Sequence, residues 1–468
     1  MFASWSRFSD LMTTAASISA TSSVNPGLDV RTVSTMTATA LAVADMIGIG
    51  VFTSLGFQVA SIPSPFTVLM LWIVGGIAAL CGALAYAELA AAFPRSGGEY
   101  NFLSRIYHPA VGFLAGWISA TLGFSAPIAL AAMAFGEYFK GVVPGASPLL
   151  LGLVVVWCVT AIHLSGIKHS SKFQNISTLI KGALILALII AGIAYGVPEP
   201  VSFVPTSVDM SYIASAPFAV SLVFVMYAYS GWNAATYIAG EIREPAVSLP
   251  RSIIAATLIV ISCYVALNAV FLYTTPISAM AGQLDVAMVA GKHIFGEVGG
   301  TIVGALICIG LVSSISAMAW IGPRVTMAMG KDHAVFRALS VTNKNGVPTA
   351  AILLQLIIVS LLLTTQSFEA VLDTIQFSLT LCSFLAVLGV IVLRWKEPNL
   401  PRPYRTWGYP LTPFVFLGVT AFMMYHLIVE RPLQSLAGLA IMLTGLAVYA
   451  YSQRRPIDGK DLNRTQHG

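Results

Sequence analysis

Long apolar runs alternate with short polar ones along most of the chain. Twelve such runs are centred near residues 48, 79, 124, 156, 184, 228, 262, 312, 357, 383, 419 and 443. Most reach the ~20 or more residues that a helix needs to cross a bilayer with some tilt. The first run, Thr35 to Ile62, carries Asp45-Met46-Ile47-Gly48-Ile49-Gly50-Val51-Phe52 at its middle. A glycine weakens a helix by about 1 kcal/mol relative to alanine, and a carboxylate near the bilayer centre costs at least a few kcal/mol unless paired or hydrated. Backbone leaves the helix at this depth only where protein or a water-filled cavity receives its polar groups. The pattern predicts a broken helix lining a site.

Composition fits a polytopic membrane protein. Hydrophobic residues make up 57% of the 468 and charged ones 9%, with mean hydropathy +0.84, which excludes an ordinary soluble domain. All but five of the 24 Lys and Arg fall in segments on one side of the expected membrane, among them Lys168 and Lys172. Lys140, Lys292 and Arg431 lie on the other side, and Lys181 and Arg324 lie within spans. Basic loops stay cytoplasmic, so both termini are expected inside a plasma or inner membrane. The formal charge of +5 then reflects topology and carries no nucleic-acid signal. Cys81, Cys158, Cys263, Cys308 and Cys382 all fall within spans without metal-ligand spacing, so free packed thiols and no metal or cofactor are expected. Residues 1–32 read as a disordered cytoplasmic tail, with a second tail at 454–468.

The second span ends in Tyr86-Ala87-Glu88-Leu89, then Phe93-Pro94-Arg95-Ser96-Gly97-Gly98-Glu99-Tyr100. Proline and paired glycines form a tight turn there. This string resembles the signature of the amino acid–polyamine–organocation superfamily of transporters, with the bacterial L-type and cationic amino acid permeases as the nearest branches. Tyr227-Ala228-Tyr229-Ser230-Gly231-Trp232-Asn233, Glu241-Ile242-Arg243-Glu244-Pro245 and Leu249-Pro250-Arg251 are similar to its sixth helix and exit. Pro323-Arg324-Val325 with Ala328-Met329-Gly330-Lys331-Asp332, and Arg402-Pro403-Tyr404-Arg405 with Gly408-Tyr409-Pro410, resemble later motifs, all in order.

The resemblance implies an all-α protein of 12 transmembrane helices with the LeuT-type five-plus-five inverted repeat: residues 33–197 and 210–397 as the repeats, and 408–453 as two further helices. Interrupted spans in corresponding positions of two halves point independently to such repeats and a midplane site. The expected activity is secondary active transport of α-amino acids by alternating access, sodium-independent and coupled to protons or to exchange. A sensor or transceptor using the same pocket and a polyamine transporter are the alternatives. No HExxH, catalytic aspartate pair or Ser/His arrangement within the spans suggests an enzyme. The expected partners are a small amino acid, protons and the bilayer, with no obligatory protein partner evident.

Helix N-termini bind anions, so the N–H groups opening the half-helix after Gly48-Ile49-Gly50 suit a substrate carboxylate, and the Met46 and Ile47 carbonyls suit its ammonium. Close helix packing is the other reading of these glycines. Asp45 departs from relatives, which more often carry Asn, Thr or Gly. It can meet a substrate amine or cationic side chain, titrate with proton coupling, or pair internally. Tyr227, Ala228, Tyr229, Ser230, Gly231 and Asn233 supply the opposite wall, with Tyr227 and Trp232 as gating aromatics and core packing as their alternative. By resemblance, the Lys181 ammonium occupies a sodium position and ties the fifth helix to the first; snorkelling is the alternative. Ser313, Ser314 and Ser316 are candidate hydroxyl partners. Glu88, Arg95, Glu241 and Arg251 are expected in a cytoplasmic gate or loop framework, His163 in a helix-end hydrogen bond, Glu137 and Lys140 at the outer end of the third span, and Asp373 and Gln376 at a pocket rim.

Overall fold

The computed structural model describes residues 33–454 other than 96, 166–169, 238, 240, 241 and 344–346. The expected N-terminal tail, residues 455–468 of the expected C-terminal one, Lys168 and Glu241 therefore lie outside the described residues, as do the side chains of Lys172, Arg324 and Lys331.

Ten of the twelve apolar centres fall inside helices; the one near residue 48 falls in a break between two helices, and the one near 124 at a turn between a π-turn and the next helix. In order, the longer elements are α1 (Thr35–Met46), α2 (Gly50–Ser61), α3 (Pro65–Ala92), α4 (Gly98–Ile106), α5 (Pro109–Ile118), a π-turn (Ser119–Gly123), α6 (Ser125–Val142), α7 (Pro148–Ser165) and α8 (Ser170–Tyr195). There follow α9 (Ser207–Ile213), α10 (Ala216–Ala228), α11 (Ala234–Tyr237), α12 (Pro245–Thr274), α13 (Ile277–Met280), α14 (Val286–Asp332) and α15 (Arg337–Ser340). The last four are α16 (Thr349–Thr364), α17 (Phe368–Lys396), α18 (Leu411–Glu430) and α19 (Pro432–Gln453). Among the described residues eight stretches are long and apolar enough to span a membrane, and nine if α9 and α10, bent by 65°, count as one. Pro148–Leu164, Leu179–Tyr195 and Thr349–Thr364 are apolar but shorter. Polar Ser170, Ser171, Lys172 and Gln174 open α8 and leave its apolar part short.

Starts are marked in the sequence. Ser34, Ser64, Ser215 and Ser367 accept from backbone N–H groups of the first turns they precede, and Pro65 and Pro109 open their helices where no N–H is needed. Large apolar side chains such as Leu150, Ile190, Ile193, Val298, Leu361 and Leu433 stand exposed on the outside, as lipid-facing residues do. Cys158 is exposed among them rather than packed, because its position on α7 faces outward; Cys81, Cys308 and Cys382 are buried and free.

The broken first span lies at the centre. α1 packs along α12, α2 against α10, α3 against α12, and α14 against α6 and α8. Just before α1, Val33 makes an isolated bridge with Ile242, and its carbonyl accepts from the Arg243 N–H at 2.9 Å. Phe57 of α2 stacks on Phe224 of α10 and Phe368 of α17, at 5.1 and 5.7 Å between centroids. Glu88, at the other end of α3, is buried, accepts hydrogen bonds from the Arg394 guanidinium (2.6 Å) and from the N–H and hydroxyl of Thr406 (both 2.7 Å), and is ion-paired with Arg402 (3.3 Å).

Candidate functional site

The predicted interruption is present. α1 stops at Met46, Ile47 leaves helical geometry (φ −73°, ψ 71°), and α2 opens at Gly50 with no side-chain cap on Ile49. Uncapped N–H groups at a helix start are available to an anion. Gly50 also permits a crossing: a Cβ there would lie 2.6 Å from the Cα of Ala228, the last residue of α10. Both readings of the glycines thus have a physical basis in one place.

The carbonyls that end α1 are occupied from within the protein. The Tyr264 hydroxyl donates to Met46 O at 2.6 Å, and the Lys181 ammonium donates to Ile47 O at 2.8 Å and to Ser314 Oγ at 3.1 Å. Lys181 is 4% exposed and turns inward rather than snorkelling. Its stem crosses α14 at Gly310, where a Cβ would come within 2.7 Å of Lys181 Cγ. Three elements, α8, α14 and the break, are therefore joined at one ammonium. Ser313, the neighbour of Ser314 in the chain, is fully buried. Ser316 instead meets His163 Nε2 at 3.0 Å. The hydrogen bond expected of His163 at its helix end is made across to α14.

Asp45 is at the penultimate position of α1, where the helix end is already negative. Its carboxylate lies against Gly231, whose φ is +96°; a Cβ on Gly231 would stand 2.7 Å from Asp45 Oδ2. Lys181 is close enough for its charge to act on Asp45. Opposite charges together offset part of the cost of either alone at this depth.

The sixth span unwinds from Tyr229 to Asn233 between α10 and α11. Ser230 donates to Tyr227 O at 2.6 Å. Tyr229 is fully buried, bonds Trp72 O at 3.1 Å and packs edge-on to Trp72 at 5.9 Å, so its ring rests against α3. Trp232 packs edge-on to Tyr86 at 4.6 Å, and Tyr227 is buried at the end of α10. The Asn233 amide is drawn to Glu99 at 2.7 Å. Asp45, Gly48, Ser230, Gly231 and Asn233 are the half-buried members of the predicted set; Met46, Ile47, Ile49, Gly50 and Ala228 are buried behind them.

Asp373 is buried 3.6 Å from Arg431, and Gln376, also buried, lies 3.4 Å from the Thr380 hydroxyl. Glu137 and Lys140 pair at 3.7 Å and Arg95 meets Asp332 at 3.4 Å, at exposed positions. The residues that sequence reasoning passed over are Tyr264, Gly310, Tyr237 and Glu99. Tyr264 was legible as a polar atom in mid-span, and Glu99 as an acid inside the turn signature.

Residues 33–449 match the amino acid permease family. The human large neutral amino acids transporter small subunit 2 is 28% identical over 436 residues, covering 90% of this chain and 81% of its own. The mouse b(0,+)-type amino acid transporter 1 is 25% identical over 417 residues, covering 87% and 85%. The serine/threonine exchanger SteT of Bacillus subtilis (strain 168) is 24% identical over 422 residues, covering 89% and 95%. These relatives are transporters rather than enzymes, and a match spanning the whole helical part of the chain leaves one conclusion: this multi-pass membrane protein belongs to the amino acid permease family of the amino acid–polyamine–organocation superfamily.

Proposed function

We propose that the protein is a sodium-independent secondary transporter of α-amino acids that works by alternating access. The architecture is twelve spans: residues 33–197 and 210–397 as LeuT-type inverted repeats, 408–453 as two appended helices, and both termini cytoplasmic. The interrupted spans, first and sixth, each open a set of five, as such repeats require.

The substrate carboxylate binds the uncapped start of α2, and its ammonium binds near Asp45 and the unwound stretch at Ser230–Gly231. The observation that carries this is the bond from Lys181 to Ile47 O at 2.8 Å: a fixed cation holds the carbonyl end of the break where a sodium ion would otherwise be needed. Asp45 and Lys181 form the coupling pair, and a proton moving on or off one of them changes the charge of the site as the helices rearrange. Tyr227 and Trp232 close over the ligand; Ser313 and Ser314 support the lysine. Relatives named as neutral amino acid transporters and a serine/threonine exchanger favour small neutral substrates and exchange. The carboxylate of Asp45 in the lining favours a second reading, cationic amino acids or polyamines.

The test is uptake of labelled amino acids and putrescine into proteoliposomes, with and without sodium and with and without a pH gradient. Uptake of amino acids indifferent to sodium is expected. Uptake that requires sodium removes the role given to Lys181, and no amino acid uptake removes the substrate assignment.

A further inference from the structure

The carboxylate of Glu99 collects three neutral donors from two other elements. Its Oε1 accepts from the Tyr86 hydroxyl of α3 at 2.9 Å and from the Asn233 amide at 2.7 Å; its Oε2 accepts from the Tyr237 hydroxyl at 2.8 Å. Glu99 is 8% exposed and lies in the first turn of α4, where the helix dipole favours a negative charge. Bonds to an ionised acceptor are about twice as strong as neutral ones.

The turn is shaped to permit this. Gly97 and Gly98 have φ of +122° and +51°, and a Cβ on Gly98 would lie 2.7 Å from Tyr237 Cε1. Only a bare backbone lets the Tyr237 ring rest against the start of α4 with its hydroxyl at Glu99. Asn233 and Tyr237 bracket α11, the short half-helix beyond the unwound stretch. On its other side Tyr237 packs against Phe124, at 6.3 Å, just past the π-turn, and it is near enough to Asp45 to sense that charge. Both ends of α11 are thus held by one carboxylate that belongs to the connection between the second and third spans.

We infer that Glu99 is a positioning residue that latches α11 in its closed position, so that the site opens toward the α4 side of the molecule only when all three bonds to Glu99 are broken. The inference rests on the alternating-access reading for its meaning, but its test does not need transport.

Cys382 is buried within reach of the Glu99 charge and serves as the reporter. With the other four cysteines replaced by serine, reaction of Cys382 with a water-soluble maleimide is timed in purified full-length protein. Tyr237→Phe, which removes one bond and keeps the Glu99 charge beside the thiol, is expected to react about tenfold faster, as expected for losing one hydrogen bond to a charged group, and Glu99→Asp to stay near the native rate. A parallel variant keeping only Cys308, which is buried near Phe135 of α6, controls for general loosening and is expected to react at an unchanged rate. Equal rates at Cys382 in the native and Tyr237→Phe proteins, or an equal acceleration at Cys308, overturn the latch. In proteoliposomes Glu99→Gln is further expected to lower the apparent KM on the α4 side and raise it on the other. A fall in maximal rate with both KM values unchanged also overturns it. Labelling that behaves as expected in a protein that carries no amino acid would leave the latch standing and remove only the transport reading.

Discussion

The ammonium of Lys181 sits 2.8 Å from the carbonyl of Ile47, on a stem that fits only because Gly310 has no side chain. Replacing the lysine leaves a carbonyl and the Ser314 hydroxyl without their charged partner in a dry interior. Bonds to charged groups contribute about 1.5–3 kcal/mol, so Lys181→Ala is expected to lower transport at least tenfold. Gly310→Ala, which pushes on Cγ at 2.7 Å, is expected to lower it by less. Initial rates normalised to reconstituted protein check the order; Gly310→Ala as severe as Lys181→Ala would mean that the groove matters more than the charge.

Asp45→Asn keeps the shape against Gly231 and removes the charge. Gradient-driven uptake is expected to disappear while exchange across equal pH persists. A selective loss of lysine, arginine or putrescine transport instead would make Asp45 a selectivity residue.

Gly231→Ala meets two obstacles at once, a φ of +96° and a Cβ 2.7 Å from Asp45 Oδ2. Strain of this kind costs about 1–3 kcal/mol. A lower unfolding temperature is expected, recovered only in part by adding Asp45→Ala, since that removes the collision and leaves the backbone strain. Full recovery would assign the whole cost to the collision.

Glu88 is 2% exposed, and the side chains of its partners Arg394 and Arg402 are 21% and 7% exposed. Removing one member of a buried charge group is expected to cost about 3–5 kcal/mol. Thermal denaturation of Glu88→Gln should show a large loss, and a loss near zero would mean that water enters the cluster freely.

His333 touches Ser452 of α19 through Nδ1 at 3.2 Å and Tyr100 through Nε2 at 3.4 Å. Burial pushes its pKa below the usual histidine value, against the pull of Asp332. Below about 6.5 the unfolded chain takes up a proton that the folded side chain refuses, so this contribution is full at higher pH and is lost as pH falls through that value. Proteolysis at the C-terminal end of α19 is expected to speed up on acidification, and the His333→Gln protein to lack that pH dependence. An unchanged pH profile in the variant would remove His333 as the cause.

The helices were legible because lipid imposes length and hydropathy on every span, and both breaks were legible because Gly48, Gly50 and Gly231 with Asp45 are costly in an uninterrupted helix. Side-chain direction was not. Tyr229 and Tyr227 are two residues apart in the same motif, yet only the pairing of α10 with α3 turns Tyr229 onto Trp72. Asn233 reads as a pocket residue until the turn at Gly98 brings Glu99 to it, a contact separated by more than a hundred residues in sequence. His163 was readable as a helix-end hydrogen bond, but not its partner Ser316: periodicity along one helix carries no information about which neighbour it faces.

The bridge between Val33 and Ile242 fastens the chain just before α1 to the chain just after α11, and the Thr35 hydroxyl reinforces it at Ser248, 2.9 Å away. The half-helices α1 and α11 are therefore tied together at the ends away from the two breaks, and a displacement of one is expected to carry the other with it.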